Sequence, residues 1–372
     1  MYTANIRGIL KMIRKNPQLI EKTTTNLSHR LYFHLAAERM NGWCHAPEIL
    51  TVMVTDRCNL RCRYCHYANT DQHGFHLNHA RDMSSTVFQK LIDQTPGNPF
   101  VSFTGGEPLL HPEIGEFISY AKQNNRLCTL TTNGWFLADR AEEISRSGLD
   151  ILVVSVDGPE EIHNTARGKN SFARLRDGIA AINAQPNRPA LFISTAISDV
   201  NYNHLLTTYQ FVREWQVDGY NVNHLWMQTD ESIESFTSEF SILSPDRVLW
   251  QVNISQIDPD VLADNLELLR KKSWGGPFIF MESPYLNRAE ISTWYRHPDQ
   301  MVKYDSVRCA WVRFKVWSDG KVKPCRDWVV GDVNQQSVEE IWSGAEYQDF
   351  RKVLAKQKIL PICYRCCMIA YP

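Results

Sequence analysis

Cys58, Cys62 and Cys65 are separated by three and then two residues, so that three thiols share one short stretch of chain. Thiolates so placed can each hold one iron of a cubane cluster, and a fourth iron without a protein ligand is an open position for a small molecule. A structural zinc site needs four ligands, and on this stretch only His66 or His73 could complete it. A second group of thiols comes late: Cys309, Cys325, and the pair Cys363 and Cys366 with Cys367 beside it. Four well-spaced thiolates make a closed site, and tetrathiolate geometry suits an iron-sulfur cluster or a zinc ion. Cys44 and Cys128 stand apart and read as packed core residues.

The elements that must position these thiols alternate between apolar or β-branched runs and amphipathic stretches, which is the βα pattern. Strands are expected at 49–55, 100–104, 127–132, 151–156, 190–196 and 220–226. Ser84 can cap a helix running through Gln94, Pro112 sits where a first-turn proline is tolerated, and Ser171 can cap a helix through Ala184. Crossover helices of this length force a buried parallel sheet, and six strands suggest a partial (β/α)6 TIM-like barrel whose chemistry collects at the strand C-termini. Two further motifs fall at such ends. Thr104-Gly105-Gly106-Glu107-Pro108 follows the second strand, where paired glycines let backbone approach a ligand and Glu107 can receive an ammonium group. Ser155-Val-Asp157-Gly158-Pro159 follows the fourth, with His163 and Arg167-Gly168 downstream.

The Cys-x3-Cys-x2-Cys loop, with Tyr64 before its last cysteine, resembles the signature of the radical S-adenosylmethionine superfamily. The resemblance implies a [4Fe-4S] cluster that binds S-adenosylmethionine at its free iron and cleaves it reductively. The resulting 5′-deoxyadenosyl radical abstracts a hydrogen atom from a substrate C–H bond, with a flavodoxin- or ferredoxin-type protein as electron donor. It further implies that Gly105, Gly106 and Glu107 hold the methionyl amino group, and that Ser155 and Arg167 contact the ribose and carboxylate. By the same resemblance, Asn133-Gly134 and Leu225 are expected to line that site. The late cysteines Cys309, Cys325, Cys363 and Cys366, with the stretch from Ile341-Trp342-Ser343 to Arg351, are similar to a SPASM or twitch module. They imply one auxiliary [4Fe-4S] cluster, because the cysteines of a second auxiliary cluster are absent. Asp327, two residues after Cys325, is the expected catalytic base, and Cys367 the alternative hydrogen donor.

Four regions follow from this reading: an N-terminal helical extension (1–48), a core barrel (49–226), an aromatic-rich insertion or cap (227–304) and an auxiliary-cluster domain (305–372). A hairpin turn is expected at Asp319 and Gly320. Lys plus Arg (40) nearly balances Asp plus Glu (41), which leaves no global field for nucleic acid or an anionic membrane. The apolar runs fall short of the ~20 residues of a membrane-spanning helix. Residues 1–20 are basic and amphipathic but lack the features of a secretion signal, so ten cysteines point to metal or redox chemistry in the cytoplasm rather than to disulfides. The expected reaction is a net oxidation of a small molecule such as a sugar or aminocyclitol. Maturation of a ribosomal peptide is the alternative, a lipid substrate the third, and a non-catalytic iron-sulfur or zinc scaffold the alternative of another class.

Overall fold

The computed structural model describes residues 44–65, 81–240, 252–274, 278–302, 307–325 and 328–366. The N-terminal amphipathic stretch, His66, His73, Trp250, Asp327 and Cys367 lie outside the described residues.

In chain order the first elements are β1 (Ile49–Met53), α1 (Ser85–Gln94), β2 (Phe100–Thr104), α2 (Ile114–Gln123), β3 (Cys128–Thr132), α3 (Leu137–Arg146) and β4 (Ile151–Ser155). Next come α4 (Glu160–Arg167), α5 (Ser171–Asn183), β5 (Ala190–Ala196), α6 (Leu205–Val212) and β6 (Gly219–Asn223). Then follow α7 (Asp230–Glu239), α8 (Pro259–Ser273), β7 (Ile279–Ser283) and α9 (Arg288–Arg296). The C-terminal part holds α10 (Cys309–Val312), β8 (Arg313–Val316), β9 (Lys321–Val322), β10 (Gly331–Asp332), α11 (Val338–Trp342) and α12 (Ala345–Gln357).

β1 to β7 lie side by side in sequence order and pair in parallel, as crossover helices dictate. The six expected strands are all present. The seventh, β7, arises inside the stretch expected to be an insertion or cap, where the aromatic-rich composition concealed it. At the other edge β8 pairs in parallel with β1, and the β8–β9–β10 meander extends the sheet beyond it. A partial barrel leaves the edge of β1 with unpaired backbone groups, and this C-terminal strand occupies them. Gly320, at φ +85°, makes the hairpin turn, a conformation that favours glycine.

The helices follow local rules with two corrections. Ser84 caps α1, its hydroxyl accepting from Val87 N–H. Ser171 instead begins α5, and its hydroxyl donates to Gly168 O at 2.6 Å; the cap position belongs to left-handed Asn170. Pro112 stands in the turn before α2 rather than in its first turn.

The sheet also departs from the expectation of apolar burial on both faces. Along its strands Val101, Phe103, Leu130, Leu152, Val154, Leu191, Ile193 and Val222 are buried in the core shared with the helices. The alternating positions Ser102, Thr104, Thr129, Thr131, Ser155, Ser194, Asn221 and Asn223 are half-buried and polar. Successive strand residues point to opposite faces, so the face away from the helices is largely polar toward the strand C-termini, with Ile151, Val153 and Phe192 also on it. Its threonines had read simply as β-branched strand formers.

Candidate functional site

The cysteine loop follows β1 and is tied to the C-terminal ends of its neighbours. Gly106 N–H donates to Thr55 O at 2.9 Å and Glu107 N–H to Arg57 O at 2.7 Å. A Cβ on Gly105 would stand 2.5 Å from Thr55 O, and one on Gly106 2.2 Å from Arg57 O. The two glycines therefore let the β2 loop lie against the backbone that leads into the cysteines. Asn133 Nδ2 donates to Asn59 Oδ1 at 3.0 Å, which fixes the loop from the end of β3. Arg63 reaches the far side: its N–H donates to Ala166 O at 3.0 Å and its guanidinium pairs with Asp199 at 3.0 Å. Cys65 N–H donates to Cys62 O at 3.1 Å, folding the last two cysteines into one turn.

The three cysteines are near enough to feel one another's charge: Cys58 that of Cys65 and Glu107, and Cys62 that of Cys58, Cys65 and Arg167. Burial pushes the thiols of Cys58 and Cys62 up to about 12, so iron must displace protons to bind them near neutral pH. Among the described residues no group of three or more His, Cys, Asp or Glu is drawn together as ligands of a metal ion. The donor set is nevertheless soft thiolate on one loop, which suits a cluster whose irons take one cysteine each.

Glu107 is buried beside this loop. Its carboxylate accepts from Thr132 Oγ1 at 2.6 Å, Asn133 N–H at 2.7 Å and Leu109 N–H at 3.0 Å. Burial raises its pKa above the usual carboxylate range, and these neutral donors only partly oppose that. A cation placed here would stabilise the charged form, which is the chemistry an ammonium group supplies.

Asp157, fully buried after β4, joins four elements and was quoted in the sequence motif without a role. Its Oδ2 accepts from the Tyr64 hydroxyl and from Arg167 Nε at 2.5 Å, and its Oδ1 from Ala196 N–H at 3.0 Å. Asn201 Nδ2 donates to its carbonyl at 3.0 Å, and its own N–H donates to His163 Nδ1 at 3.2 Å. Arg167, the last residue of α4, also directs Nη1 at Cys62 Sγ, 3.9 Å away, with its guanidinium 5.5 Å from the Tyr64 ring centre. Burial opposes the Arg167 charge, but Asp157 outweighs it and keeps the guanidinium protonated. The structure thus brings Tyr64, Glu107 and Arg167 around the cysteine loop, with Gly105 and Gly106 against its base.

Ser155 ends β4 in register with Ser194, whose hydroxyl accepts from Asn223 Nδ2 at 2.9 Å. Leu225 is buried just beyond β6. Two polar atoms at this end, Asn59 Nδ2 and Asn221 Oδ1, are buried and have no hydrogen-bond partner among the described residues. Such atoms are costly unless a ligand meets them. Sequence reading had not singled out either asparagine.

The late cysteines sit on separate short elements. Cys309 opens α10, Cys325 lies in a bridge with Trp328, and Cys363 and Cys366 close a turn through Cys366 N–H to Cys363 O at 3.1 Å. That turn repeats the Cys62–Cys65 geometry. Burial, then the nearby charge of Cys309, pushes the Cys363 thiol up to about 12, which places these two cysteines close together. Buried Arg351 donates to Ala310 O at 3.0 Å and to Trp342 O at 2.8 Å, holding the chain after Cys309. Cys44 and Cys128 are core thiols, as expected.

Two family models match this chain: the radical SAM superfamily over residues 52–212 and the SPASM iron-sulfur cluster-binding domain over residues 308–367. An AdoMet-dependent heme synthase of Methanosarcina barkeri is 28% identical over 88% of this chain and 90% of its own. A tungsten-containing aldehyde ferredoxin oxidoreductase cofactor-modifying protein of Pyrococcus furiosus is 22% identical over 85% and 86%. Streptococcus suis SuiB bound to its precursor peptide SuiA superimposes with a TM-score of 0.64 at 14% identity, covering 92% of this chain and 80% of that one. The anSMEcpe enzyme with bound AdoMet gives 0.60 at 19% identity over 87% and 88%. At these identities the structural likeness shows a shared fold. The two domain matches, on a partial barrel in which β1, leading into the cysteine loop, pairs with β8 of the C-terminal hairpin, make this chain a SPASM-type member of the radical S-adenosylmethionine superfamily, with S-adenosylmethionine and four-iron clusters as its cofactors.

Proposed function

We propose that this radical SAM enzyme catalyses the net two-electron oxidation of a small polar molecule. The observation that carries this reading is the polar side of β4 to β6, where Ser155, Ser194, Asn221 and Asn223 are half-buried. Hydroxyl and amide groups in that position suit a substrate rich in hydroxyl or amino groups, such as a sugar or aminocyclitol. The names of the two near-full-length relatives, a heme synthase and a cofactor-modifying protein, also support a substrate other than a peptide.

In this reading Cys58, Cys62 and Cys65 hold the first cluster, and Cys309, Cys325, Cys363 and Cys366 the second. When bound, the first cluster and S-adenosylmethionine supply a 5′-deoxyadenosyl radical able to take hydrogen from an unactivated C–H bond. Glu107 receives the ammonium of the cofactor. Arg167, held charged by Asp157, would meet its carboxylate, while Gly105 and Gly106 let the β2 loop lie against the cysteine loop. Ser155 and Leu225 line the ribose side. Asp327 would take the proton lost as the substrate radical is oxidised, and the second electron would pass to the auxiliary cluster that Cys309, Cys325, Cys363 and Cys366 would hold. A flavodoxin- or ferredoxin-type protein would donate the electron, and cysteines kept for metal ligation suit a cytoplasmic enzyme. Among the described residues no helix is long and apolar enough to cross a membrane.

A second reading, maturation of a ribosomally made peptide, is favoured by the fold shared with SuiB in its precursor-peptide complex. The two readings separate in one experiment. Reconstituted enzyme is incubated anaerobically with S-adenosylmethionine, reductant and panels of polyols, aminocyclitols and short peptides. A polyol or aminocyclitol product lighter by two hydrogens supports the proposal. Modification confined to peptides overturns it.

A further inference from the structure

Arg365 stands between the two cysteines of Cys363-Tyr-Arg-Cys366 and is only 1% exposed. All five N–H bonds of its guanidinium end on main-chain carbonyls. Nε donates to Trp294 O at 2.8 Å, Nη1 to Gln300 O at 2.8 Å and Tyr364 O at 2.9 Å, and Nη2 to Thr293 O at 3.0 Å and His297 O at 2.6 Å. A guanidinium has five donors in a rigid fork, so this set uses every one. Four of the five carbonyls belong to the C-terminal end of α9 and the turn after it, where a helix leaves carbonyls unmet and carries negative dipole charge. The cation also lies 4.8 Å from the centre of the Trp294 ring.

The same helix end grips the barrel. Trp294 Nε1 donates to Leu225 O at 3.2 Å, and the next residue, Tyr295, accepts from Leu225 N–H through its hydroxyl at 3.4 Å. Both main-chain polar groups of Leu225 are therefore held by consecutive side chains of α9. Met227 N–H donates to Arg365 O at 3.3 Å and closes the ring. An unbroken set of contacts runs from the late cysteine pair through Arg365 and α9 to the turn after β6.

We infer that Arg365 is a positioning residue that couples the late cysteine pair to the cofactor-lining end of β6, so that filling the auxiliary site and binding S-adenosylmethionine favour each other. The inference rests on the readings that Cys363 and Cys366 hold the auxiliary cluster and that Leu225 lines the cofactor site. Linkage makes the effect reciprocal: whatever factor the filled auxiliary site adds to cofactor affinity, the cofactor adds to retention of that cluster.

The test uses the full chain reconstituted anaerobically, with iron per chain, the electron paramagnetic resonance signal of each cluster and the S-adenosylmethionine Kd by equilibrium dialysis as readouts. Arg365→Lys keeps the charge but not the fork. It is expected to alter the auxiliary-cluster signal, leave the first cluster loaded and weaken cofactor binding about tenfold. Cys363→Ala/Cys366→Ala should weaken it by a similar factor, and adding Arg365→Lys to that pair should weaken it no further. Trp294→Phe removes the donor to Leu225 while keeping an aromatic ring beside Arg365 and both clusters, and should still weaken binding; it decides the matter if Arg365→Lys fails to fold. An unchanged Kd in Arg365→Lys or Trp294→Phe, or additive effects in the combined variant, overturns the coupling. Full iron content in Cys363→Ala/Cys366→Ala overturns instead the first of the readings on which it rests.

Discussion

At the scale of single residues, the most consequential group is one to which the sequence motif assigned no role. Asp157 accepts from Tyr64, Arg167 and Ala196 at once, so it holds the cysteine loop, α4 and β5 to one point. Asp157→Asn leaves the Arg167 guanidinium buried without its counter-charge, a change that costs about 3–5 kcal/mol. Urea unfolding should show that loss, and dialysis should show weakened S-adenosylmethionine binding. Unchanged values in both would remove Asp157 from the centre of the site.

His163 carries a pH consequence. Burial first, then the Arg167 charge, lowers its pKa from the ordinary 6.5 to about 3, so the folded chain keeps it neutral while the unfolded chain protonates it. Its contribution is complete above pH 6.5 and is lost as pH falls toward 3. Glu282 acts in the same direction at lower pH. Burial alone would raise its pKa, but hydrogen bonds from His224 and Arg270 outweigh burial and hold it below the usual carboxylate range. Its stabilisation is therefore present above the ordinary carboxylate pKa and lost in acid. Denaturant midpoints should fall as pH is lowered from 7.5 to 5, and His163→Asn should flatten that slope. A slope unaffected by the substitution contradicts the assignment.

At the scale of elements, the β1 and β2 loops must touch for the cysteines to be held. Gly106→Ala would drive a methyl group against Arg57 O, 2.2 Å away, so this variant should lose iron from the first cluster while keeping its helical circular dichroism. Ser84→Ala is the matched control: loss of the α1 cap costs about 1 kcal/mol and leaves iron content and cofactor binding as they are. Strand positions and the hairpin at Gly320 were legible because β-branched runs and turn residues are local signals. The cysteine spacings were legible because a cluster needs its thiols on short loops. What stayed hidden is set by tertiary structure. β7 is short and lies among aromatics that read equally well as a helical layer. The polar face of the sheet is built largely from threonines and serines whose side-chain direction depends on register. Arg365 reads as any surface arginine until the C-terminal end of α9 is folded against it.

At the scale of the whole molecule, β8 beside β1 and Arg365 beneath α9 make the SPASM domain part of the barrel's own framework. Lys90 reinforces the junction, donating to Val333 O at 2.5 Å and Gln336 O at 3.0 Å. The central claim is that Cys58, Cys62 and Cys65 carry a cluster that cleaves S-adenosylmethionine. The measurement that tests it most directly is 5′-deoxyadenosine formation by anaerobically reconstituted protein, read together with iron per chain, for the native chain and for Cys62→Ala. The expected result is 5′-deoxyadenosine and about eight irons for the native chain, and no 5′-deoxyadenosine with about four irons for the variant. Undiminished 5′-deoxyadenosine from Cys62→Ala, or none from a native chain holding its full iron, would contradict it.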